Sequence, residues 1–153
     1  MLTEQEPKEY KAKVEQEYGE CAIYVVPEDC EMYNCGDTGG RKAPFGFSWT
    51  DFWRAMTEHY AQEMHCSSCG KELFAGNGPS LKQYIDSEID FENLAKHKSH
   101  GGHVWLDKPE DTGIEGGRYI TPLCPEHNGQ HNKHIPIKKG SVLCKEIIAK
   151  KED

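Results

Sequence analysis

The chain is predicted to fold as a mixed α+β structure, and three observations carry that prediction. Two segments repeat apolar residues at helical spacing. Several short runs rich in Val, Ile, Tyr and Trp read as strands between turns rich in Gly and Pro. Two residue pairs, Cys66 with Cys69 and Cys124 with His127, each stand three apart, a spacing that suits a shared ligand more than a core.

The first helix is expected over residues 3–18. Pro7 fits its first turn, Tyr10, Val14 and Tyr18 form one narrow apolar stripe, and Gly19 is a plausible stop. "CAIYVV" (21–26) reads as a strand, and "PEDCEMYNCGDTGGRKAPFG" (27–46) as a loop. A second helix, capped by Ser48 or Thr50, is expected to run to Met64, with Phe52, Trp53, Met56, Tyr60 and Met64 as its buried stripe. "KELFAGNG" (71–78) suggests a short hairpin, and residues 79–98 a helical insertion. "HVWL" (103–106) and "RYITPL" (118–123) look like strands joined by a loop carrying Gly113, Gly116 and Gly117. "CPEHNGQHN" (124–132) opens as a short helix, and "HIPIKKGSVLCKEI" (134–147) closes the chain as a strand-like stretch.

Composition bounds what such a chain does. It has 153 residues, enough for one domain or a small domain with attached elements, with 36% hydrophobic residues. Its mean hydropathy is -0.80. A core that thin calls for a staple, and seven cysteines can supply one through metal or disulfides. The cysteine count is odd, the charged opening "MLTEQEPKEYKAKVEQEYGE" has no apolar leader, and "CAIYVV" is too short to span a bilayer. The expected setting is a reducing cytoplasm, where thiolates bind metal. A formal net charge of -8 argues against a general grip on phosphate backbones. The basic stretch 132–151 reads as a solvated edge.

Zinc is commonly held in a tetrahedron of Cys and His ligands, and C-x-x-C lets one tight turn aim two sulfurs at one ion. "CSSCG" has that form, with Gly70 free to take positive φ. The partner pair is C-x-x-H after a strand, with Pro125 and Glu126 suited to a first helical turn. A knuckle, a hairpin, then paired ligands at a helix start is the order of a treble-clef zinc site. The expected structural zinc ligands are therefore Cys66, Cys69, Cys124 and His127, with His131 or His65 as alternatives to His127. Cys30 and Cys35 offer a second site only if a His joins them; otherwise they, Cys21 and Cys144 are buried thiols.

"CSSC", "GGHVW" and "YITPLCPEHN" together resemble the metal-finger core of HNH-type (ββα-metal) nucleases, and in particular small bacterial and phage HNH-like zinc proteins. The resemblance spans about residues 64–145. It implies a treble-clef (HNH-like) zinc finger, here with an N-terminal helical extension and a helical insertion. On this reading residues 1–47 are the extension (helix, strand, loop) and 48–153 the zinc-binding domain, with its insertion at 79–99. The resemblance also implies His103 as general base and Asn128 as a ligand of a catalytic Mg²⁺ or Mn²⁺. The chain departs from the pattern at two positions: Gly102 stands where a metal ligand is expected, and the usual second-strand Asn falls near Tyr119. His100 is close enough in sequence to substitute. His103 also reads as a structural imidazole at a strand end, and His100, His131 and His134 as solvent-exposed.

Two functions follow as expectations. The first is a zinc-stabilised, non-catalytic interaction module of bacterial or phage origin. Its acidic segment (Glu4, Glu6, Glu9, Glu15, Glu17, Glu20, Glu28, Asp29, Glu31) would suit a protein partner with a basic site, including a nucleic-acid-handling protein that it inhibits. The second is a metal-dependent HNH-type endonuclease. No Gly-rich strand-to-helix loop supports a nucleotide-loop enzyme.

Overall fold

Pro7, Tyr10 and Val14 turn one side of helix α1 (Gln5–Tyr18) inward, and all three are buried. Gly19 ends the helix at φ +89°, its N–H returning to Glu15 O at 2.9 Å. The computed structural model describes residues 5–36, 40–60, 63–74 and 96–150.

The apolar run after α1 yields strand β1 (Ile23–Val25). The segment read as a loop holds a further strand, β2 (Cys30–Asn34). That is a correction with a clear cause. Turn-forming residues flank "CEMYN" on both sides, yet Met32 and Asn34 are buried, and the strand is paired on both edges.

Helix α2 (Trp49–Met56) begins as expected, with Ser48 Oγ accepting the Asp51 N–H at 3.1 Å. It ends eight residues before Met64. Thr57 Oγ1 donates to Trp53 O at 2.7 Å, Glu58 takes φ +58°, and the buried Arg54 donates to Tyr60 O at 2.7 Å, which closes the last turn. Phe52, Trp53 and Met56 are the buried stripe; Tyr60 lies past the helix and Met64 belongs to a strand.

Strands β3 (Glu63–His65) and β4 (Glu72–Phe74) pair as a separate two-stranded sheet around the "CSSC" turn. The hairpin expected after that turn thus has its first arm before it. Most of the expected insertion lies outside the described residues.

Strands β5 (His100–Leu106), β6 (Gly117–Leu123), β7 (Lys133–Ile137) and β8 (Val142–Lys145) complete the main sheet. Its order is β1-β8-β6-β5-β2-β7, antiparallel throughout. The stretch read as one final strand is two, turned near Gly140 at φ +87°, and they part company: β7 pairs with β2, β8 with β1 and β6. Residues 1–47, read as an extension, therefore contribute two strands to the same sheet as β5–β8. Short helix α3 (Pro125–Asn128) follows β6 directly.

The core lies between α1, α2 and the sheet. Tyr10 stacks on Phe47 at 3.6 Å and meets Phe52 edge-on, while Trp53 Nε1 donates to Val142 O at 2.9 Å. No helix among the described residues is long and apolar enough to cross a membrane.

Candidate metal centre and the adjoining cavity

The C-x-x-C turn is shaped by its own backbone. Cys66 N–H donates to Lys71 O and Gly70 N–H to Cys66 O, both at 2.8 Å, with Gly70 at φ +79°. The turn is docked by Ser67. Its N–H donates to Pro122 O at 2.9 Å, its carbonyl accepts Lys138 N–H at 2.8 Å, and its hydroxyl meets Thr121 Oγ1 at 2.6 Å. Thr121 Oγ1 itself donates to Val142 O at 3.0 Å, so Ser67 is the donor of that pair. The knuckle is thereby tied to the end of β6, which leads straight to the second ligand pair.

Cys124 caps α3, with Sγ accepting the His127 N–H at 3.5 Å and Pro125 opening the helix. One helical turn then returns His127 Nδ1 to 3.2 Å from Cys124 Sγ. Across the gap, Cys69 Sγ lies 3.9 Å from Cys124 Sγ. The ligand atoms of Cys66, Cys69, Cys124 and His127 all lie within 4.8 Å of one another. An ion holding sulfur at about 2.3 Å in a tetrahedron separates its sulfurs by about 3.8 Å, so the donor set fits a metal ion and is consistent with zinc. Cys66 and Cys124 are buried, and Cys69 reaches the surface.

Burial pushes the Cys66 thiol up to about 12, against the backbone N–H groups of Cys124, Cys69 and Ser68, which favour the thiolate. A bound dication would reverse that balance by deprotonating its thiol ligands. His65 and His131, the alternatives to His127, are outside this group. Among the described residues no second cluster of three metal-ligating side chains forms, so Cys30 and Cys35 do not gain a third ligand there.

Asn34, in the strand that sequence reading missed, holds the α3 end of the centre. Its Nδ2 faces the carbonyls of His127 (2.9 Å), Asn128 (3.2 Å) and Gln130 (2.9 Å) where the four-residue helix ends; the His127 carbonyl also accepts the Gln130 N–H at 3.1 Å.

Next to this centre, His103 on β5 is buried, its ring edge-on to Trp49 at 4.8 Å. His103 Nδ1 is hydrogen-bonded to Glu146 Oε2, and Glu146 Oε1 accepts Arg41 Nε at 3.0 Å and Arg41 Nη2. The Glu146 side chain is only 3% exposed. Burial raises its pKa, but the hydrogen bonds from His103 and Arg41 outweigh it and hold the carboxyl below its ordinary range. His103 and Asn128 line one cavity of about 570 Å³, together with His100 and His131.

The "GG" before His103 has a packing cause. A Cβ on Gly101 would lie 2.5 Å from the Trp49 carbonyl carbon, and one on Gly102 2.3 Å from Leu123 Cδ1. Tyr119 is turned into the core, where its hydroxyl donates to Glu115 O at 2.6 Å. Of the histidines read as exposed, His131 and His134 are so, His134 with Nε2 2.7 Å from Asp107 Oδ2, whereas His100 is half-buried. Sequence reading also missed Arg41 and Glu146, whose neighbours in sequence carry no motif.

No protein-family model, curated protein or solved structure matches this chain.

Proposed function

We propose that the chain is a zinc-stabilised, non-catalytic interaction module organised on a treble-clef-like centre, with the HNH-type frame kept for its architecture. The observation that carries this reading is the pairing of a well-formed Cys₃His donor set with the closed position at Gly102. Where the resemblance expects a ligand for a catalytic ion, a β-carbon would collide with Leu123. The glutamates exposed along and after α1 (Glu6, Glu9, Glu17, Glu20, Glu28 and Glu31) suit a protein partner with a basic site, a nucleic-acid-handling protein included. Some of this charge is already answered within the chain, as by Lys150 at 3.4 Å from Glu17.

One observation favours the second reading, an endonuclease. His103 lines the cavity together with Asn128, and Glu146 orients its ring as a general base would require. Supercoiled plasmid incubated with the zinc-loaded protein and Mg²⁺ or Mn²⁺ separates the two. The expected result is no nicking. Cleavage that disappears in His103→Ala, with zinc content unchanged, would replace the module with the nuclease.

A further inference from the structure

The cavity beside His103 has a charge pattern opposite to that of the chain. The protein carries a formal net charge of -8. Yet the cavity wall presents Arg41, Lys42, Lys98, His100, His103 and His131, and among the described residues no carboxylate lines it. The neighbouring acid, Glu146, is engaged by Arg41 and His103. Among the described residues, the side chains of Lys42, Lys98, His100 and His131 form no hydrogen bond or ion pair. Arg41 uses Nε and Nη2 on Glu146, which leaves Nη1 as a donor. Burial, and then the nearby Lys98 ammonium, hold the His100 imidazole below its ordinary pKa and so favour its neutral form, which leaves Arg41, Lys42 and Lys98 as the standing cations of the wall.

Cations converging on a concave wall repel one another, and an anion placed between them removes that repulsion. We propose that this cavity binds a phosphomonoester: a small organic molecule whose terminal phosphate lies against Lys42, Lys98 and the free edge of Arg41. A phosphate dianion matches more than one free cation, whereas a lone carboxylate leaves a charge unanswered. About 570 Å³ is far more than a bare phosphate fills, and is of the size that holds small-molecule ligands. The half-buried rings of Phe47 and Trp49 line the same wall and give the organic part an apolar seat. Arg41, Lys42, Phe47 and Trp49 come from the segment before residue 50, outside the stretch that resembles the nuclease finger. The site requires no catalytic ion and no bond is made or broken, so it is independent of the reading as an interaction module.

Titration calorimetry of the full, zinc-loaded chain without added Mg²⁺ or Mn²⁺ tests the site with three probes: adenosine 5′-monophosphate, inorganic phosphate and a blunt DNA duplex lacking terminal phosphates. Saturable binding of the nucleotide is expected, about tenfold tighter than inorganic phosphate. The double variant Lys42→Glu/Lys98→Glu should weaken it by at least about tenfold while zinc content and Tm stay unchanged. No saturable nucleotide binding, or binding that ignores the charge reversal, overturns the site. Equal affinity for inorganic phosphate overturns the organic ligand. Tighter binding of the duplex, lost in the same variant, overturns the monoester in favour of nucleic acid. Plasmid cleavage is a separate readout, so failure here and failure of the module reading remain distinguishable.

Discussion

Two polar clusters flank the start of β5, and they are built on opposite logic. Cys66, Cys69, Cys124 and His127 aim their donor atoms at a common point, within 4.8 Å of one another. His103, Glu146 and Arg41 aim at each other, so the carboxylate finds its counter-charge within the chain. The first cluster is a donor set that could hold a metal ion; the second is satisfied by residues from three separate parts of the sequence. A candidate metal-ligand set drawn from local turns can be read from spacing, while an internal ion pair has to be seen folded. The two also fail differently, which gives the comparison its tests.

The largest effect is expected at the first cluster. Cys66→Ser or Cys124→Ser, or a strong chelator, should remove the metal and most of the cooperative fold. Metal binding free energy, about 10–16 kcal/mol in zinc-finger peptides, becomes folding free energy when the donors are scattered in the unfolded chain. Elemental analysis should find one zinc per chain in the parent protein. A chelated sample that keeps its near-UV circular dichroism and its Tm would break the contrast, because the core would then stand without its guest.

At the second cluster the loss should be smaller and dependent on pH. Glu146→Ala removes a buried carboxylate and leaves His103 and Arg41 without their acceptor, an expected cost of about 3 kcal/mol in urea unfolding. Because Arg41 is about one-third exposed, solvent screens part of that loss. The folded Glu146 carboxyl is held below its ordinary range. Its contribution is therefore complete above the ordinary carboxylate range and is lost as pH falls through the depressed folded value. The stability gap between the parent and Glu146→Gln should accordingly narrow below about pH 4. A gap that stays constant down to acid unfolding would show that the carboxylate charge contributes nothing.

Between the clusters, Gly102→Ala should cost about 1–3 kcal/mol by overpacking, since its β-carbon would come within 2.3 Å of Leu123 Cδ1. Leu123 immediately precedes the ligand Cys124, so the strain is passed to the metal centre. A variant as stable as the parent would mean that Leu123 repacks freely and that the position is open to a ligand after all.

What was legible in the sequence follows the range of the interactions. The Ser48 cap, the Gly19 stop and the two ligand pairs are each decided within about four residues, and each could be read. The overrun of α2 to Met64 arose because Tyr60 and Met64 continue a helical stripe, while the signals that stop it are Thr57, a left-handed Glu58 and a side-chain bond from Arg54. Strand β2 was hidden because its pairing partners are distant and its flanks are turn-rich. The Arg41–Glu146 bond joins residues 105 apart in the chain, and no local pattern announces it. The "GG" before His103 was visible, but its cause, the approach of Trp49 and Leu123, was not.

Asn34 joins the hidden strand to the legible metal site. It is buried at 1% exposure, and its Nδ2 donates to the His127 carbonyl 93 residues away as well as to Asn128 and Gln130. Among the described residues its buried Oδ1 has no partner, so the side chain contributes there as a donor. Asn34→Ala should therefore cost about 1–2 kcal/mol, chiefly through the Asn128 and Gln130 carbonyls that lose this donor at the end of α3. Because the His127 backbone is one of the groups held, zinc affinity should also fall, by about tenfold, as when an outer-shell partner of a ligand is removed. Asn34→Asp should be worse on both measures, since a carboxylate facing carbonyl oxygens has no proton to give them. Competition with a chromogenic chelator reads the affinity, and urea unfolding of the zinc-loaded protein reads the stability. If Asn34→Ala lowers stability but leaves zinc affinity at the parent value, β2 supports only the sheet, and the metal centre is as self-contained as its local spacing suggests.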